Sequence, residues 1–187
     1  VEVREAVAWS ADAEKYYTLL AEFAHIEKKL AELPGPAPRT QSKLLAYMPA
    51  GTAVFGAMPN IGGTVQQAVS MIEHRTDESA VLKEWWDSAG GEAARKLMGH
   101  VQNISPLLGD EIVFMLAKDA VKAGSATPLV IAEVTPGKQA DLEQAIAKIT
   151  PEGGKAMPYK ISGNLLLVSD SQESVAALQP KLGTGAR

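Results

Sequence analysis

Four apolar runs of strand length constrain this chain more than any other feature: TAVFGAM from Thr52, DEIVFMLAK from Asp110, PLVIAEV from Pro128 and NLLLVS from Asn164. Runs this short, bounded by Gly, Pro, Asn and Asp, predict strands and fall far below the length of a membrane span. The last run is one arm of a hairpin, MPYKISGNLLLVSD, whose Gly163-Asn164 pair suits a tight turn. Helical periodicity fills the intervals. Val65, Ala68, Val69 and Ile72 recur at helical spacing. DESAVLKEWWDSA carries Val81, Leu82, Trp85 and Trp86 as a stripe, with Asp77 or Ser79 as cap. GGEAARKLMGHVQNI places Ala93, Leu97, Val101 and Ile104 on one side. TPGKQADLEQAIAKI predicts a helix opening at Thr135-Pro136 with Leu142, Ile146 and Ile149 buried. DSQESVAAL predicts another, with Asp170 and Glu173 in capping-box spacing.

From Thr52 onward the order is strand, helices, strand, strand, helix, strand, strand, helix. Two β-α-β halves whose strands pair with one another describe an α+β fold. The specific expectation is a ferredoxin-like sandwich with an enlarged first helical crossover and an extra C-terminal hairpin strand. An N-terminal amphipathic helix over residues 10–33 precedes it, with Ser10 or Asp12 as cap. In it Tyr16, Leu19, Phe23, Ile26, Leu30 and Leu33 alternate steps of three and four. LPGPAP ends this helix. The helix either lies on the domain or serves as a stalk through which two copies dimerise. The domain reading is therefore 1–43 as connector helix and Pro-rich linker, and 44–187 as the α+β domain.

Composition removes several chemistries. A net charge of -4 without a basic cluster excludes a nucleic-acid footprint. With no cysteine there is no disulfide scaffold, thiolate metal site or cysteine nucleophile. The chain opens VEVREAVAW, without an initiator Met, and reads as a piece of something longer whose targeting segment, if any, lay upstream.

The stretch PNIGGT after the first strand has the outline of a phosphate loop, because strand, glycine turn and helix are how such loops are built. It lacks the lysine and glycine spacing of a Walker loop, and the Rossmann glycine pattern is absent too. Asn60, Gly62, Gly63 and Thr64 thus form either a plain βα turn, with Asn60 as cap, or a weak anion site of bare backbone N–H groups. His25, His74 and His100 show no ligand-pair spacing, so no metal site is expected. Asp110 and Glu111 are adjacent in a strand and face opposite ways, which denies them a shared acid/base task. No catalytic residue and no cofactor are expected. The unusual feature is EWWDS. Trp85 and Trp86 diverge by about 100° on a helix. They form either a wide buried face or a pair with one indole inward and one anchoring a protein or carbohydrate partner.

SKLLAYMPAGTAVFGAMPNIGGT followed by ESAVLKEWW resembles the C-terminal region of certain bacterial FecR-domain proteins, and AVAWSADAEKYYTLLAEF resembles the connector after the FecR part. The resemblance implies an extracytoplasmic, periplasmic region tied to signalling or envelope functions, with a protein partner there; it brings no catalytic residue. The FecR-like domain itself is missing from these residues. Together these readings favour a non-catalytic interaction or sensory module that does not span a membrane. Two other classes stay open. One is a metal-assisted hydrolase or lyase assembling His74, His100 and Asp110 across the sheet. The other is a small-ligand binding protein using the space between sheet and crossover.

Overall fold

The computed structural model describes residues 2–33, 35, 41–118, 125–149 and 158–185, with side chains from residue 12 onward. Most of the Pro-rich linker and the loop around Gly124 lie outside the described residues. Contacts group the chain into two compact units, residues 1–35 with 63–101 and residues 36–62 with 102–187.

The second unit is the sheet. Its strands are β1 (Thr52–Pro59), β2 (Leu108–Lys118), β3 (Ala126–Val134), β4 (Tyr159–Ser162) and β5 (Leu165–Ser169), in the order β1-β2-β3-β5-β4 and antiparallel throughout. Side chains alternate across a strand, and here the alternation sorts the core onto two faces. Val113, Met115, Ala117, Leu129, Ile131, Leu165 and Leu167 share one face with Leu44 and with Val175 and Leu178 of α6 (Gln172–Leu178). Val134 and Leu166 point the other way, onto Leu142 and Ile146 of α5 (Gln139–Ile149). Each Val, Leu, Ile or Met side chain among them, fully buried, contributes about 1.5–3 kcal/mol. Toward β1 the α5-side face carries exposed Val54, Met58, Phe114 and Leu116.

The α+β class therefore stands, and so does the hairpin, which turns at Gly163 between Ser162 and Leu165. The ferredoxin-like detail gains no support. The strands flanking the long helical interval, β1 and β2, are direct antiparallel neighbours, and α5 and α6 cover opposite faces. Two helix starts also shift. Gly137, at φ 78°, holds the chain in a turn, so α5 begins at Gln139, while the Thr135 hydroxyl donates to the Leu108 carbonyl at 3.3 Å. The cap of α6 is Ser171, whose Oγ accepts from the Ser174 N–H at 3.0 Å.

The first unit is helical. It holds α1 (Glu2–Glu32), all but the first residue of α2 (Gly62–Glu78), α3 (Ala80–Trp86) and α4 (Ala89–Ile104) as far as Val101. Helix α1 runs through the expected Ser10/Asp12 cap, starting at Glu2. It turns Leu19, Glu22, Phe23 and Ile26 inward. Ile26, Val69, Leu82 and Trp86 are buried in the unit, and Ser79 caps α3 by accepting from the Leu82 N–H. Of the residues that share one side of α4, Leu97 is 66% exposed. The polar tie between α1 and α2 is Arg75, whose Nε donates to Glu22 at 2.8 Å and whose Nη2 reaches the other oxygen at 3.1 Å. Arg75 also pairs with Glu78 at 2.6 Å.

Hydrogen bonding from Arg75 holds the Glu22 carboxyl below its ordinary value of 4.5. A depressed carboxyl stabilises the fold fully above its unfolded value and loses that contribution as pH falls through the folded one. Melting followed by circular dichroism is expected to show the native chain losing more stability than Glu22→Gln between pH 5 and pH 3, roughly the window in which such a group protonates. Equal losses would remove the pair from the stability of the unit.

Candidate functional site

The turn PNIGGT folds around the side chain of Asn60. Its Nδ2 donates to the Ser105 carbonyl at 2.8 Å and to the Gly109 carbonyl at 2.9 Å, and its Oδ1 accepts from the Gly62 N–H at 3.1 Å. The backbone N–H of Asn60 donates to the Asp110 carbonyl at 2.8 Å. A short polar side chain is well suited to satisfying an orphan donor at a helix start. The ladder between β2 and β3 is irregular from Leu108 to Ile112, and Gly109 sits in that stretch. Gly62 is required by close approach: a Cβ there would lie 2.1 Å from Ser105 Cβ. Asn60 and Gly62 are thus joined in one hydrogen-bonded turn, and Gly63 and Thr64 follow as the next residues of α2. Both amide hydrogens of Asn60 are taken by protein carbonyls, which commits this side chain to structure.

The tryptophans divide their labour. Trp86 is 6% exposed, with the Arg95 guanidinium 5.4 Å from its ring centroid, and Arg95 also donates to the Trp86 carbonyl. Trp85 is half-buried and meets Phe23 edge to face at 4.8 Å. It borders a shallow cleft of about 280 Å³ with Asp12, Lys15, Tyr16, Leu19, Val81, Glu84 and Ser88, across which Lys15 and Glu84 pair at 2.5 Å. Of the two, only Trp85 presents surface.

His74 and His100 belong to the helical unit and Asp110 to the sheet unit. His74 is exposed and lies 3.7 Å from Glu78 on its own helix. Among the described residues no three of His, Asp and Glu gather as a metal-binding group.

The residue that matters most is one that the sequence presents as half of an acid pair. Glu111 is 4% exposed in β2, on the face of Val113, Met115 and Ala117. Its Oε1 accepts from the Leu44 N–H at 2.9 Å and from the Ser42 hydroxyl at 3.2 Å. Leu44 lies in the first turn of the 3-10 helix Lys43–Tyr47, whose cap residue Ser42 makes no capping bond of its own, so a distant strand carboxylate does that work. Glu111 also lines a cleft of about 500 Å³ with Gln41, Ser42, Leu45, Phe55, Ala57, Met58 and Pro59. The signal was present: in DEIVFMLAK the acid stands in phase with the inward residues. Asp110, the other half of the pair, is exposed.

Comparison of the chain with protein-family models, curated proteins and solved structures finds no match.

Asn60→Asp keeps the oxygen that caps α2 and loses both donors. It is expected to lower the unfolding free energy by about 2 kcal/mol, because two carbonyls lose their partners and face a carboxylate. Denaturant midpoints would measure this; an unchanged midpoint would reduce Asn60 to a helix cap.

Proposed function

We propose that the chain is a non-catalytic interaction module, and that its contact surface is the outward side of α1. The supporting observation is an apolar stripe on that helix, opposite the residues it buries. Tyr17 is 75% exposed and Leu20 62%. Ala13, Tyr17, Leu20 and Ala24 follow one another at steps of four, three and four, the spacing with which a helix meets a second helix. Large exposed aromatics are uncommon on surfaces that meet only water. The occupant proposed is α1 of a second copy, giving a two-fold dimer in which one stripe covers the other.

The setting proposed is extracytoplasmic, in the periplasm or envelope, as part of a FecR-like bacterial protein with a protein partner there. That part rests on the residues of SKLLAYMPAGTAVFGAMPNIGGT and ESAVLKEWW alone. No helix among the described residues is long and apolar enough to cross a membrane. For the sheet unit we propose kinship with ferredoxin-like folds in element order only, not in strand order.

Light scattering after size exclusion is expected to give the mass of a dimer for the native chain and of a monomer for Tyr17→Glu/Leu20→Glu, with helicity retained. A native chain that is monomeric at every concentration would overturn the dimer. Recovery of the intact gene product from the cytosol would overturn the setting.

A further inference from the structure

We infer that the cleft between the 3-10 helix Lys43–Tyr47 and the β1–β2 edge of the sheet binds a small amine, an ammonium group carried on an apolar body, with Glu111 as its counter-ion. The first ground is the carboxylate itself. A nearly buried acid in a protein is paired with a cation or coordinates one. Glu111 is 4% exposed, and its only partners among the described residues are two neutral donors, the Leu44 N–H and the Ser42 hydroxyl. Both converge on Oε1. Among the described residues no hydrogen bond reaches Oε2. The space beside the carboxylate is the cleft that Glu111 lines.

The second ground is the shape and lining of that cleft. At about 500 Å³ it falls in the range of small-molecule sites. Phe55, Ala57 and Pro59 of β1 and Leu45 of the 3-10 helix supply its apolar wall, and Glu111 is the one ionisable group among the described residues that line it. Such a site resembles the usual ligand pocket, apolar walls with a few placed polar groups that fix orientation.

The same features choose among cations. A divalent metal ion gathers six or more oxygen ligands, and the described lining of the cleft offers one carboxylate with Ser42 and Gln41 nearby. A guanidinium is recognised best by both oxygens of a carboxylate together, and Oε1 is already taken by two donors. An ammonium needs one oxygen as a point acceptor. Phe55 adds an aromatic wall of the kind that accompanies bound ammonium groups.

The test is a nuclear magnetic resonance titration of the full chain with phenethylamine, with phenylethanol as the uncharged counterpart of the same shape. The amine is expected to shift the amide signals of Ser42, Leu44 and Glu111 saturably, in the millimolar range, and the alcohol to bind about tenfold more weakly. Glu111→Gln is expected to lower amine affinity by about tenfold while leaving the alcohol unchanged. Because that variant also alters the bond to Leu44, a second one, Ala57→Phe, narrows the cleft with the acid intact and is expected to abolish both. Equal binding of amine and alcohol, unchanged amine affinity in a folded Glu111→Gln, amine binding retained in Ala57→Phe, or no saturable shift would overturn the inference.

Discussion

Asn60 stands where the chain leaves the sheet unit, and its carboxamide grips the place where the chain comes back. The unit gives up the chain at Gly62 and resumes it at Gln102. Three hydrogen bonds from one side chain join the start of α2, the Ser105 carbonyl and the Gly109 carbonyl, over sequence separations of up to 49 residues. Each bond to a part-buried carbonyl is worth about 1 kcal/mol net, and the penalty for leaving the carbonyl unpaired is larger. With that clasp in place, β1 and β2 can be neighbours although a whole helical excursion separates them in sequence. Gly62 shares the constraint from the steric side, since a larger residue would force Ser105 away.

A second long-range bond has the same logic. The Leu44 side chain is fully buried in the sheet core, and its backbone N–H is held by Glu111, 67 residues away. The sheet thereby supplies the cap that the short helix lacks locally. The arrangement stabilises the N-terminal end of the unit and places a carboxylate beside the cleft.

Strands and helices were legible because their signals are local. The strands expected at DEIVFMLAK and PLVIAEV and the spacing of Leu142 and Ile146 each survive in the structure. Strand order was not legible, because nothing in TAVFGAM says whether its neighbour is the next strand or a later one. Helix starts slipped by one to a few residues where a competing polar group took the cap, as Ser171 did beside Asp170. For α4, periodicity shows that residues share a side but not which side meets the core, and Leu97 is exposed. The PNIGGT turn was readable as a turn, but its partners at Ser105 and Gly109 lie too far along the chain for any spacing rule. Glu111 was readable in phase, yet it was weighed as half of an acid pair and not as a charge placed in a core face.

The grouping of α1 with residues 63–101 has a consequence for the order in which the chain is made. Ties such as Glu22 to Arg75 span 53 residues, so α1 emerges well before anything exists for it to pack on. The strand β1 is in the same position, synthesised ahead of α2, α3 and α4 yet paired with β2, which follows them. Once residue 101 has appeared, the helical unit holds all its parts, whereas the sheet core still waits for Leu165, Leu167 and α6. On a ribosome adding residues from one end, domains fold as their last pieces arrive. The helical unit is therefore complete first, and β1, apolar and uncharged, spends the longest time as an open edge in need of protection.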